Sequence, residues 1–201
     1  MKLYYSQFTR AGRARWTLEE LGAEYEIARI AFASGDHKKP EYLAIHPHGS
    51  VPALVDGELT VTESAAIVLY LADKPGHNQL APALGSKERG AYYRWMVYIP
   101  ATIDPVLETL TMQTRFLPQD KRSPEVLEGA KAKWAKIAKV LEDAIEGRAY
   151  IVGDSFSAAD IMVASALGWA QFVGVLSDHP KLAAYLQNLQ QRPAYQKAHA
   201  D

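Results

Sequence analysis

Apolar and polar positions alternate at the start of the chain, over Lys2-Leu3-Tyr4-Tyr5, which predicts a short strand with Leu3 and Tyr5 on one face. The period then lengthens. Ala11, Ala14, Leu18 and Leu21 recur at helical spacing, and Gly22 supplies a stop. Alternation returns over Tyr25–Ile30, so strand, helix and strand follow one another within about 30 residues, the length of a parallel βαβ unit. A loop with Gly35 and Pro40 comes next. The apolar runs Pro52–Val55 and Leu59–Val61 flank Asp56-Gly57, a pair suited to the positive φ angles of a tight hairpin. After Thr62 the pattern is helical again, through Ala65, Ile67, Val68, Tyr70 and Leu71. The first third therefore reads β-α-β followed by β-β-α, with four strands.

The remainder carries only helical signals. Pro75-Gly76-His77-Asn78-Gln79 and the stretch from Pro82 to Ser86 read as a linker. A long helical stretch begins near Ser86 and meets Pro100 and Pro105, which should bend or break it. Ser123-Pro124-Glu125 is a helix start: a capping serine, a proline in the first turn and an acid at the positive end of the dipole. That helix is expected to run towards Gly147. Ser157-Ala158-Ala159-Asp160 is a capping-box pattern ahead of Ile161, Met162 and Val163. Asp178-His179-Pro180 opens a final helix that should end near Arg192-Pro193. No internal repeat or low-complexity tract is visible.

Composition narrows the chemistry. The 201 residues, 48% apolar and 22% charged with net charge −1, describe a packed chain without the basic excess of a nucleic-acid binder or a membrane-surface anchor. No charged-then-apolar leader and no apolar run of spanning length is seen, so a cytoplasmic address is expected. The absence of cysteine removes disulfides, thiolate metal sites and a catalytic protein thiol. Any sulfur chemistry must use a thiol brought by a ligand. Thr9 stands where the first strand hands over to the first helix, and a hydroxyl there can cap the helix or donate to a ligand sulfur. A helix N-terminus with a hydroxyl donor and cations nearby lowers a thiol pKa from about 8.5 to about 6 or 7, giving the nucleophilic thiolate. His46 and His48 lie two apart with no third ligand evident, so no metal site is expected. Lys131, Lys133, Lys136 and Lys139 read as a solvated helix face.

Four segments together resemble the cytosolic glutathione transferase family over the whole chain. They are Tyr4–Arg13 with Leu18–Gly22, His46–Leu54, Glu63–Ile67 and Gly153–Asp160. The resemblance implies a thioredoxin-like domain over residues 1–77 and an all-helical domain over 86–201, the second contributing the acceptor-substrate pocket. It implies glutathione as co-substrate with no other cofactor, a small apolar electrophile as second substrate, a detoxifying conjugation, and a homodimer. Thr9 matches the place where several subfamilies carry a catalytic serine; Tyr5 and Ser6 are the competing activators. The resemblance makes Val51-Pro52 a cis bond that turns the Val51 backbone to the cysteinyl part of glutathione. Many members have Lys or Gln where this chain has Ser50. Glu63 and Ser64 suit the ammonium and carboxylate of the γ-glutamyl end, and His37, or Lys38 or Lys39, the glycyl carboxylate. Ser157 and Asp160 are structural caps. Tyr92, Tyr93, Trp95 and Tyr98 read as core or interface, with Met112 and Phe116 as pocket candidates. Two alternatives share the site: a glutathione-dependent peroxidase or small-disulfide reductase, and a non-catalytic glutathione-binding or regulatory protein.

Overall fold

The computed structural model describes residues 1–74 and 80–200; the linker reading at Pro75–Gln79 lies outside the described residues. The chain divides into two compact units, residues 1–81 with 192–201, and residues 82–191. The segment 192–201, expected in the helical domain, thus groups with the N-terminal unit.

In the first unit, β1 (Lys2–Tyr5), α1 (Ala11–Leu21) and β2 (Glu26–Arg29) form the βαβ element. After α2 (Pro40–Leu43) come β3 (Ala53–Asp56), β4 (Leu59–Thr62) and α3 (Ser64–Ala72). The sheet order is β2-β1-β3-β4. β1 pairs parallel with β2 (Leu3 opposite Ile27) and antiparallel with β3 (Leu3 opposite Leu54), and β3 pairs antiparallel with β4 (Leu54 opposite Val61). Leu3 and Tyr5 do share the buried face, and Leu3, Leu18, Leu54, Ile67 and Leu71 are fully buried together. Gly22 ends α1 at φ 62°, with its N–H and that of Ala23 returning to Glu19 and Leu18 carbonyls, a conformation that costs glycine nothing.

The expected final helix is not the last one. α8 (Pro180–Gln190) is followed by α9 (Pro193–Ala198). A proline fixed near the helical φ opens a helix as readily as it closes one, and Arg192 before it is extended, as the residue before a proline prefers. α9 packs on α1: the Tyr195 ring lies edge-on to Trp16 at 4.9 Å. The Arg192 guanidinium grips Glu20 through two bonds of 2.6 and 2.8 Å, and Trp16 Nε1 donates to the same carboxylate at 2.9 Å. This clamp ties the end of the chain to the helix that carries the candidate site at its N-terminus.

The second unit is helical: α4 (Lys87–Tyr98), α5 (Asp104–Thr111), α6 (Pro124–Ile145), α7 (Ala158–Val173) and α8. The long stretch is interrupted at its prolines, but by a change of winding: Ile99–Ile103 is a wide π turn joining α4 to α5. A proline without an N–H disturbs the i→i−4 ladder, and one looser turn absorbs that without ending the helical path. Ser123 Oγ caps α6 by accepting from the Val126 N–H at 3.3 Å. The lysine face of α6 is exposed, and Tyr92 and Trp95 of α4 are core. Tyr93, Met112 and Phe116 are exposed. No described helix is long and apolar enough to cross a membrane.

Candidate active site

Strand register decides which loops can share a site. Tyr4, Ala53 and Thr62 stand in one row across β1, β3 and β4. One residue beyond Tyr4, Tyr5 pairs with Arg29 of β2. β1, β2 and β4 run in one direction and β3 in the other, so their ends on this side are the C-termini of β1, β2 and β4 and the N-terminus of β3. The loops leaving that end hold Ser6–Arg10, Ala31–Lys39, Ser50–Pro52 and Glu63–Ser64. Every residue expected to touch glutathione, Thr9, His37, Ser50, Val51, Pro52, Glu63 and Ser64, therefore lies at one end of one sheet.

At the β1–α1 junction, Phe8 takes φ 58° and stands 96% exposed, an unusual setting for an aromatic residue. Thr9 follows it. Its hydroxyl donates to the Ser6 carbonyl at 2.6 Å and accepts the Ala11 N–H at 3.2 Å, so Thr9 closes the turn and satisfies one of the first free amides of α1. The Tyr5 ring is buried under the Arg15 guanidinium, 5.2 Å from centroid to carbon. Ser6 is half-buried and offers its carbonyl to Thr9.

The Val51–Pro52 bond is cis, as the resemblance implies. Ser50 is exposed, and its carbonyl accepts the Tyr42 hydroxyl at 2.5 Å. Burial, then the nearby Tyr4, pushes that hydroxyl up to about 12, so it stays a donor. Gly49 sits at φ 59°, and a Cβ there would lie 2.4 Å from the His37 carbonyl oxygen. Only glycine lets the two loops meet. Gly49→Ala is expected to lower stability by about 2–3 kcal/mol, the sum of a left-handed Cβ and the loop displacement it forces; denaturant unfolding of the pure protein measures it, and a loss under about 0.5 kcal/mol is the contrary result.

Glu63 precedes α3 at φ 67° and ψ 117°, outside the ordinary left-handed well. Strain of this sort costs about 1–3 kcal/mol and gathers at ligand-binding turns. Ser64, 8% exposed, begins the helix, where unpaired N–H groups and the dipole favour an anion. Its Oγ accepts from Arg13 Nη1 at 3.4 Å. His37 is half-buried, with the Phe32 ring at 4.7 Å and its Nδ1 enclosed without a hydrogen-bond partner. Lys39 pairs with Asp36 at 2.7 Å, and Lys38 is exposed. His46 is buried, and burial holds its pKa down against the pull of Glu63, so it is neutral at pH 7. Among the described residues no cluster of three ligating side chains is present.

Sequence reasoning overlooked Arg13, which is buried at 1% exposure and reaches Ser64 across 51 residues of chain. A signal existed: Arg13, Thr17 and Leu21 follow at i, i+4 and i+8, so the stripe that buries Leu21 also buries Arg13.

Residues 1–73 match the family described as glutathione S-transferase, N-terminal domain, and residues 124–188 match glutathione S-transferase, C-terminal domain. The chain belongs to the glutathione S-transferase family, with a thioredoxin-like N-terminal unit and a helical C-terminal one. A probable glutathione S-transferase of rice (Oryza sativa subsp. japonica), GSTF2, is 34% identical, covering 98% of this chain and 94% of that protein. A sphingomonad glutathione S-transferase solved in complex with glutathione is 31% identical at TM-score 0.86, covering 100% of this chain and 98% of the other. A glutathione transferase family member of Pseudomonas fluorescens pf-5, solved with two glutathione bound, is 26% identical at TM-score 0.89, covering 98% and 91%.

Proposed function

We propose that this glutathione transferase binds glutathione at the sheet end described above and joins its sulfur to small apolar electrophiles. The observation that carries the reading is the convergence at that end of a hydroxyl at the α1 N-terminus, a cis Val51–Pro52 bond and a strained Glu63 leading into the α3 N-terminus. In the proposed roles, Ser64 and the α3 amides hold the γ-glutamyl carboxylate and Glu63 its ammonium. The Val51 main chain pairs with the cysteinyl unit as an added strand does, Pro52 shapes that turn, and Ser50 borders it. His37 takes the glycyl end. Thr9 donates to the sulfur. The thiol proton leaves to solvent; the thiolate attacks the electrophilic carbon, a C–S bond forms, and the leaving group departs with its electron pair. The protein contributes positioning and anion stabilisation. Phe8, apolar and exposed beside Thr9, supports an apolar partner. We also propose a cytoplasmic homodimer.

The Pseudomonas fluorescens relative with two glutathione bound favours a second reaction on the same site, reduction of a peroxide or small disulfide by two glutathione molecules. With no cysteine in the chain, no mixed disulfide with the protein forms in it.

Calorimetric titration with glutathione, thiolate absorbance against pH and turnover on 1-chloro-2,4-dinitrobenzene test the reading. Expected are saturable binding, a bound-thiol pKa lowered to about 7 and conjugation. Binding without turnover on electrophiles, peroxides or disulfides would make the chain a binding module, and no binding at all would end the proposal.

A further inference from the structure

We propose that α9 is a proton-controlled latch on α1: neutral His199 closes it over the first turn of that helix, the turn that follows Thr9, and a proton taken up by His199 opens it. The latch stands on the geometry of α1 and α9; only its effect on glutathione rests on the functional reading above.

Arg192 on Glu20 fixes the start of this segment, and Tyr195 against Trp16 fixes its middle. The far end is held by a titratable ring. His199 stacks on Tyr195 at 4.0 Å and 22° and stands edge-on to Trp16 at 6.3 Å. Its Nδ1 lies 2.8 Å from the Tyr195 carbonyl oxygen. A carbonyl only accepts, so Nδ1 carries the hydrogen and Nε2 is the bare nitrogen of the neutral ring. Nε2 faces Gly12, where an added Cβ would lie 3.7 Å from it. Gly12 is in the first turn of α1, at the positive end of the helix dipole. A lone pair suits that place; a second N–H carrying a positive charge does not. The charged neighbours act in the same direction. Arg15, which reaches the Lys197 carbonyl at 3.5 Å, brings a cation from α1, while Arg13 is turned to Ser64. The acids of α1 are engaged, Glu19 with Lys197 and Tyr25, and Glu20 with Arg192 and Trp16. Loss of water from the ring face against α1 lowers the His199 pKa; the Tyr195 carbonyl opposes this and Arg15 adds to it. The sign follows. Docked α9 holds the proton less tightly than released α9, so docking is complete above the ordinary histidine value and weakens as pH falls below it.

The test uses the whole protein as wild type, His199→Phe and Gly12→Ala. Nitrogen NMR of the histidine rings reads the His199 tautomer and midpoint. Amide exchange along α9, corrected for the intrinsic rate at each pH, reads the latch. Phenylalanine keeps a ring against Tyr195 and Trp16 and cannot titrate. Expected for wild type are the Nδ1–H tautomer near neutrality, a midpoint below the ordinary histidine value of about 6.5, and protection of α9 that falls in acid. Each pH unit between that midpoint and the ordinary value should appear as an about tenfold loss of protection at a pH below both. In His199→Phe protection should stay level from about pH 7.5 to about pH 5. Gly12→Ala closes the space over Nε2 and should move the midpoint lower still. An ordinary midpoint, a midpoint unmoved in Gly12→Ala, or the same acid loss in His199→Phe overturns the latch. The Kd for S-methylglutathione, whose sulfur has no proton to lose, reads the consequence at the α1 N-terminus. It should rise about fivefold over the same pH range in wild type, the small end of a coupling between sites, and not in His199→Phe. If α9 opens while both proteins share one Kd profile, the latch has no hold on the site and the regulatory inference fails. Wild type that binds neither glutathione nor its S-methyl form removes the functional reading and leaves the latch standing.

Discussion

Asp160→Ala is expected to cost at least about 4 kcal/mol, most of the stability of an ordinary domain, and to leave the helical unit largely unfolded at 37 °C. Asp160 is fully buried at the start of α7. Its carboxylate accepts the Ile151 N–H at 2.8 Å, the Ser157 N–H at 2.8 Å, the Ser157 hydroxyl at 3.2 Å and the Tyr185 hydroxyl. These partners come from the loop before α7, from its cap and from α8. Removing the carboxylate strands four buried donors, and each costs about 1–3 kcal/mol when left unmade. Burial pushes the Tyr185 hydroxyl far up, so it cannot ionise to relieve the loss. Asp160→Asn keeps the shape but turns an NH2 group towards donors, and about 2–3 kcal/mol is expected. Tyr185→Phe leaves the carboxylate with its other partners, and about 1–1.5 kcal/mol is expected. The order Asp160→Ala, Asp160→Asn, Tyr185→Phe is checked by urea unfolding followed by circular dichroism. An alanine variant within about 1 kcal/mol of wild type would show that this network does not hold α7 to α8.

Only the Ser157–Asp160 box of that network was legible in the sequence, because it is local: serine and aspartate three apart ahead of an apolar run form a box whatever surrounds them, whereas the Ile151 and Tyr185 bonds are tertiary. The Asp56-Gly57 hairpin, the four strands and the Ser123 cap were legible for the same reason. What was missed is tertiary. α9 is six residues long, too short for a periodic pattern, and its evidence is the Tyr195 ring against Trp16. Gly49 announces a turn, yet the His37 carbonyl that demands glycine there lies in another loop. The cis bond at Pro52 came from the resemblance alone, since a given X-Pro bond is cis only about 5–6% of the time. Arg13 was not singled out in the sequence, although its helical stripe pointed inward.

The candidate site residues were read from the sequence as separate loops, and register brings those loops to one end of the sheet. β3 runs against its neighbours, so the segment before it, Ser50–Pro52, emerges beside the segments that follow β1 and β4. A tripeptide laid across this end would meet the α1 N-terminus and the α3 N-terminus together. Two positive helix ends and one buried guanidinium suit a ligand with a thiolate and carboxylates.

The reactive sulfur gives the second large effect. Thr9→Val is expected to lower kcat/KM for conjugation about 100-fold and to raise the bound-thiol pKa by about 1–2 units, because one donor to the thiolate is worth roughly 1.5–3 kcal/mol. The sign follows from the charge. A donor stabilises the thiolate over the thiol, so it lowers the pKa; without it, the rising limb of the pH–rate profile moves to higher pH and part of the lost rate returns in alkali. Valine keeps the shape of threonine but loses both hydroxyl bonds, including the one from the Ala11 N–H, so about 1 kcal/mol of stability should go as well. Thr9→Ser separates the two roles, since it keeps a hydroxyl able to accept from Ala11 and to leave Ser6 for the sulfur, and it should retain most of the activity. In the present arrangement the Thr9 hydrogen is directed at the Ser6 carbonyl, 2.6 Å away, so service to the sulfur requires that bond to be exchanged for one to a stronger, charged acceptor. If Thr9→Val keeps the wild-type rate and profile while Tyr5→Phe abolishes them, the activator is the phenol, and the threonine is only the cap that closes the turn.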